Sequence, residues 1–190
     1  MNTKAQKALI RREYLKRRAS LESGYINSAS ADISARISEL DEYLDTNIIL
    51  LYYPINNEVD IRHLFRKAIS DGKTVGFPKC IKGGKMDFYA VKSENELEPG
   101  LFGIPEPTEI CPVITNPSGA LCVTPAVVAG CDGRRLGYGG GYYDRFFAKF
   151  NVTVLCAIFE KQLVPAGNIP EGIYDVRFDI LVTERSTIRP

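Results

Sequence analysis

The sequence predicts an α/β domain in which a mostly parallel sheet is flanked by helices on both faces. Three observations predict it. Short, continuously apolar runs such as IILLYY (48–53) and VTVLCAIF (152–159) have the length and β-branched content of strands covered on both sides. Segments of helical periodicity alternate with these runs, the rhythm of crossover units in a parallel sheet. A chain of 190 residues with 45% hydrophobic content suits a single domain over 1–190 with its own core.

Residues 2–18 favour helix and are strongly basic, with Lys4, Lys7, Arg11, Arg12, Lys16, Arg17 and Arg18 against the lone Glu13. At about 100° per residue, Ala5, Ala8, Leu15 and Ala19 share one arc, and Lys4, Lys7, Arg11 and Arg18 the next. That pattern predicts a helix packed through its alanine arc, with cations along one rim; a merely solvated basic face is the plainer alternative. Ile33, Ile37, Leu40 and Leu44 predict a second helix over 28–44. Pro54 closes the strand at 48–53. Asn57 or Asp60 is then placed to cap a helix running to Ile69, which Gly72 ends. Residues 74–80 and 86–91 read as strands joined by a turn at Lys82, Gly83 and Gly84. The segment 98–119 is too rich in proline and glycine for a long helix or a central strand, and is expected as a structured loop. Apolar strands follow at 120–128, 152–159 and 178–184, with a helix at 142–150.

Composition narrows the partners. A formal charge of +1, from 24 basic and 23 acidic residues, gives no global field toward nucleic acid or anionic membrane. Five cysteines form no CxxC pair and leave one over in any disulfide set, so reduced thiols and a cytoplasmic setting are expected, with Cys122, Cys131 and Cys156 as buried hydrophobes. No apolar run reaches the ~20 residues that cross a bilayer. The single histidine, His63, reads as a surface residue, and no zinc-ligand spacing is present.

The stretch RRLGYGGGYYDRFF (134–147) gathers Gly137, Gly139, Gly140 and Gly141 where a strand gives way to a helix. Bare backbone there allows positive φ and close approach of N–H groups to an anion. The spacing matches neither GxGxxG nor the GxxxxGK[ST] loop, so on these glycines alone a tight turn without a ligand explains the pattern equally well. The neighbours sharpen it. Asp144 can hold a Mg²⁺ that bridges phosphates, Arg135 can contact a phosphate through two N–H groups, and Tyr142 and Tyr143 offer either ring faces or core.

RLGYGGGYYDR resembles the signature of the 5-formyltetrahydrofolate cyclo-ligase (5,10-methenyltetrahydrofolate synthetase) family. KALIRREYLKRR resembles that family's opening Lys-x-x-x-Arg helix, YYPINNEVD its folate-side strand and loop, FGIPEP its proline-rich loop and FDILVTE its closing strand. The five matches span nearly the whole chain in order. The resemblance implies a Rossmann-like three-layer sandwich and an ATP-dependent cyclisation of 5-formyltetrahydrofolate, with small-molecule substrates, no nucleic acid or membrane partner, and a monomer. It places Lys7 and Arg11 on the ATP phosphates, with Arg135, Leu136, Gly137, Tyr138, Gly139, Gly140, Gly141, Tyr142 and Tyr143 wrapped around them. Lys7, Arg11, Arg135 and Tyr143 would carry the catalysis. Tyr53, Glu58 and Phe102, with Tyr138, Gly139, Gly140, Gly141 and Tyr142, would contact the folate, and Asp144 with Asp179 would bind Mg²⁺, Glu184 being the other candidate for the second ligand.

Two departures stand out. CDGRRLG is two residues shorter between Asp132 and Arg135 than the family's usual turn, so a tight Asp-Gly hairpin is expected there. Basic residues that some relatives carry within the glycine loop are here Tyr138 and Gly140, leaving phosphate charge to Lys7, Arg11 and Arg135. Other readings remain open at this level: another ATP-using or phosphosugar enzyme on the same scaffold, a nucleic-acid binder acting through the first helix, or a folate-holding protein.

Overall fold

The computed structural model describes residues 3–81 and 84–190, so the turn expected at Lys82 and Gly83, and the start of the first helix at Asn2, lie outside the described residues. Helix α1 (Thr3–Ala19) ends on Lys16, Arg17 and Arg18, cations that suit the negative end of a helix dipole. Helix α2 (Ser23–Ser38) starts earlier and stops sooner than its apolar spacing indicates. Leu40 is extended (ψ 143°) and opens a separate turn, α3 (Asp41–Leu44). Ile33 and Ile37 are fully buried while Leu44 is exposed, so the periodic leucine belongs to a turn facing water.

Strand β1 (Ile48–Leu50) covers only the first half of its apolar run, although Leu51 and Tyr52 stay buried beyond it. In the following loop Asn56 and Asn57 take positive φ (48° and 59°), and the Glu58 N–H donates to the Ile55 carbonyl at 2.9 Å. Asparagine tolerates that conformation, so Asn57 serves a tight turn and caps nothing. Asp60 is not the cap residue either, since Ile61 is and makes no side-chain cap bond; from one position further out, Asp60 Oδ1 accepts the Arg62 N–H at 3.0 Å as α4 (Arg62–Ser70) begins. Gly72 (φ 76°) ends α4 in a Schellman motif, with Gly72 N–H to Ile69 O and Lys73 N–H to Ala68 O, both 3.0 Å.

Strands β2 (Thr74–Ile81) and β3 (Lys85–Ala90) pair antiparallel. The proline-rich segment holds a small hairpin, β4 (Leu97–Pro99) with β5 (Pro105–Pro107), where missing proline N–H groups matter little. The apolar run at 120–128 serves two sheets: β6 (Leu121–Pro125) joins the main one, and past Pro125 the chain turns into β7 (Val128–Gly130). Then come β8 (Arg135–Leu136), α5 (Tyr142–Phe147), β9 (Thr153–Ala157), β10 (Leu163–Val164), β11 (Ile180–Val182) and β12 (Thr187–Ile188).

The main sheet has seven strands in the order β12-β11-β9-β6-β1-β2-β3. Every pair from β11 to β2 is parallel, and the two edge strands are antiparallel. Period-two alternation sends Ile49, Leu51, Leu121, Val123, Leu155 and Val182 to one face, against Ile33 and Ile37 of α2 and Leu64, Phe65 and Ala68 of α4. Leu50, Cys122, Val154, Cys156 and Leu181 point the other way. That second face is covered by Phe146 and Phe147 of α5 together with residues of the β10-β7-β8 sheet. The glycine stretch therefore leaves β8 of the small mixed sheet, and not a strand of the main one. The short Asp132-Gly133 connection does close a hairpin there, with Gly133 at φ 85° and Ala129 opposite Arg135.

Candidate active site

Helix α1 meets the body through the face that carries its cations. Ala5, Ala8 and Ala19 of the alanine arc are exposed, while Ile10 and Tyr14 pack on Val128, Leu136 and Val164 of the small sheet and on Ile169 beyond it. Two large apolar side chains bury more surface than three alanines, and the body offers acceptors to the cations alongside them. Lys7 pairs with Asp175, and Arg11 donates through Nε to the Gly137 carbonyl at 2.8 Å. Arg18, expected on a solvent rim, is only 2% exposed. Its Nε donates to Asn56 O at 3.0 Å, its Nη1 to Ala126 O at 3.3 Å and its Nη2 to the Tyr138 hydroxyl. Spacing of 7, 11, 14 and 18 was the available signal, since it puts all four on one face; the wheel alone does not say that the body takes that face.

The glycine loop needs its glycines at two points. Gly139 has φ 99°, and a Cβ there would lie 3.1 Å from Arg11 Cζ. Gly141, just before α5, has φ 67°, with Arg145 Nη1 2.8 Å from where its Cβ would stand. Leu136 is buried beneath the loop and Tyr138 is 47% exposed above it. Arg135 bonds Asp144 Oδ1 at 2.9 Å, donates to the Val176 carbonyl, and lies over the Phe147 ring at 5.3 Å. Of the three expected cations, Arg11 and Arg135 thus meet the loop and its following helix while Lys7 holds Asp175, each engaged by a protein acceptor.

In the loop after β1, Glu58 is 6% exposed. Its Oε2 accepts the Ile55 N–H at 3.0 Å and its Oε1 faces Arg18 Nη1 at 3.7 Å. Burial pushes its carboxyl up to about 7, against the pull of the Arg18 charge. Tyr143, partly buried at the start of α5, has its phenol pushed well above the ordinary range by burial and by the neighbouring Cys122, Glu58 and Cys80, with Arg135 opposing. That places it between the two sets. Phe102 is 59% exposed and meets the Tyr142 ring edge-on at 6.1 Å, so the proline-rich loop and the glycine loop share an aromatic corner. Tyr53 is half-buried against the core that β1 anchors.

The acidic residues are less gathered. Asp144 Oδ1 takes both Arg135 and the Val176 N–H (3.2 Å), whereas Asp179 Oδ2 takes the Val154 N–H (2.8 Å) just before β11. Glu184 is occupied by the Tyr25 hydroxyl (2.6 Å) and the Glu160 N–H (2.9 Å). Among the described residues no group of three or more metal-type side chains comes together, and no helix is long and apolar enough to cross a membrane.

Known proteins fit this arrangement. The model of the 5-formyltetrahydrofolate cyclo-ligase family matches residues 3–184. A probable 5-formyltetrahydrofolate cyclo-ligase of Schizosaccharomyces pombe is 31% identical, over 86% of this chain and 88% of its own. The 5-formyltetrahydrofolate cyclo-ligase of Haemophilus influenzae is 28% identical, over 96% of this chain and 100% of its own. Among solved structures, the Aquifex aeolicus 5,10-methenyltetrahydrofolate synthetase superposes with a TM-score of 0.85 at 30% identity, covering 96% of this chain and 92% of that one. A likeness that runs from α1 through the glycine loop to the strand at Ile180–Val182 takes in every part of the site just described, and the chain belongs to the 5-formyltetrahydrofolate cyclo-ligase family.

Proposed function

We propose that this chain catalyses the ATP- and Mg²⁺-dependent cyclisation of 5-formyltetrahydrofolate to 5,10-methenyltetrahydrofolate, with release of ADP and phosphate. The observation that carries the proposal is the meeting of α1 with the glycine loop through Arg11 and Gly137, next to an aromatic corner and a buried carboxylate. The formyl oxygen attacks the γ-phosphorus, ADP leaves, N10 closes on the activated carbon, and the carbon–oxygen bond breaks as phosphate departs and N10 loses its proton. Such a sequence asks for a charge clamp on the triphosphate and a platform that brings N10 to the carbon.

Lys7, Arg11 and Arg135, with the backbone from Leu136 to Tyr143, form the clamp; their present acceptors are exchanged for phosphate oxygens when ATP enters. Tyr53, Glu58, Phe102, Tyr138, Gly139, Gly140, Gly141 and Tyr142 take the folate, Glu58 accepting from the pterin's amino and ring N–H groups. Tyr143, facing both Glu58 and Arg135, borders the transferred group. Asp144 and Asp179 would supply the hard oxygen donors that Mg²⁺ prefers. Asp144 fits that part, since both of its protein contacts use Oδ1. Bound there, Mg²⁺ would neutralise charge on the phosphates.

Purified protein mixed with 5-formyltetrahydrofolate, ATP and Mg²⁺ is expected to build the methenyl product's near-ultraviolet band. Asp144→Ala should lower the rate at least ~100-fold, the loss typical of removing one group that stabilises transition-state charge. A flat wild-type trace while nucleotide still binds would end the folate assignment and leave the clamp.

A further inference from the structure

We infer that Arg18 is a positioning residue that clasps the two halves of the site, holding the folate carboxylate Glu58 and the phosphate-loop residue Tyr138 through one buried guanidinium. The inference rests on the proposed cyclisation. Arg18 spends its N–H groups on two backbone carbonyls, Asn56 O and Ala126 O, and on the Tyr138 hydroxyl. Asn56 Nδ2 reaches the same hydroxyl at 3.4 Å, and Asn57 Nδ2 returns to the Arg18 carbonyl at 3.4 Å. The asparagine turn, the end of β6 and the glycine loop are thereby fixed to the last turn of α1, the helix that also carries Lys7 and Arg11.

What Arg18 leaves undone is as informative. Its Nη1 stands 3.7 Å from Glu58 Oε1, close enough to favour the charged form and too far to use up a lone pair. Glu58 thus keeps an oxygen free to accept from a ligand. The groups facing that carboxylate are Arg18 from α1, the Tyr52 phenol beyond β1 and the Tyr143 phenol of α5. Arg18 is the only cation among them, and its charge works against the burial that raises the Glu58 carboxyl.

The test compares wild type, Arg18→Met, Arg18→Lys, Tyr138→Phe, Glu58→Gln and the Arg18→Met/Glu58→Gln double variant, each checked for folding, with kcat and KM measured for both substrates across pH. Arg18→Met should raise the folate KM about tenfold or more while moving the ATP KM far less, and should shift the acid limb of kcat/KM for folate upward by about one unit or more. Arg18→Lys keeps the charge and loses the fork, so the limb stays in place while the folate KM still rises. In the double variant the Arg18 change should add less to the folate KM than it does alone, the remainder acting through Tyr138. Equal rises in both KM values with an unmoved limb, or no change at all, would overturn the clasp. Should Arg18→Met not fold, Arg18→Lys and Tyr138→Phe decide, the latter by a selective rise in folate KM. A wild type that does not cyclise the folate defeats the functional reading instead. The clasp is then read from unfolding: the loss of stability with rising pH must run to higher pH in Arg18→Met than in wild type, and coincident curves would reject it.

Discussion

Glu58 condenses the chemistry of the site into one residue, because its carboxyl is raised to about 7 by burial in the presence of a cation. A carboxyl held above its unfolded value of 4.5 lends the native state stability that is complete below pH 4.5 and is lost as pH climbs through 7. Glu58→Gln should therefore flatten the pH dependence of the unfolding free energy across that window, an effect of about 3 kcal/mol readable by denaturant titration at several pH values. The same change should weaken folate binding by about tenfold or more, since hydrogen bonds to a charged partner are lost. Tyr53, Glu58, Phe102 and the α1 pair Lys7 and Arg11 were legible as site candidates through their motifs. Arg18 was not: its partners come from Asn56, Ala126 and Tyr138, up to 120 positions away.

Local chemistry specifies several elements outright. The Gly72 termination of α4 follows from sequence, and no atom lies within 4 Å of a Cβ placed there. Gly72→Ala should thus act through φ strain alone, costing about 1 kcal/mol and lowering Tm by about 2–4 °C in a thermal melt, with turnover unchanged. Gly139→Ala is different, because positive φ combines with an approach to Arg11. Its expected signature is a raised KM for ATP well beyond any loss of Tm, and a pure stability loss with normal ATP kinetics would contradict the loop–helix contact. Where local patterns misled, a longer-range demand won. The alanine arc of α1 yielded to Ile10 and Tyr14, the run at 120–128 split at Pro125 to serve two sheets, and the proline-rich loop folded a hairpin whose β5 lies against β2.

At the scale of the whole molecule the main sheet buries both faces, and its thiols go with it. Cys111, Cys122 and Cys156 are buried, and Cys80 and Cys131 half-buried, so Cys131 is more open than its apolar setting suggests. Burial pushes the Cys156 thiol up to about 12, and burial together with Glu106 pushes Cys80 to about 11. Native protein should accordingly take up maleimide slowly and only at Cys80 and Cys131, with all five thiols reacting after unfolding, as counted by mass spectrometry. By itself the sequence determined the α/β class, the sequence position of most strands and helices, the reduced thiols and the motif residues, because apolar period, turn chemistry and local spacing are properties of neighbours along the chain. The tertiary structure alone decided the strand order, which face of α1 the body accepts, that Asp144 and Asp179 answer to different partners, and that Arg18 stands between Glu58 and Tyr138. Those outcomes depend on which distant carbonyls and carboxylates are left to be satisfied once the sheet has closed, and no local pattern carries that information.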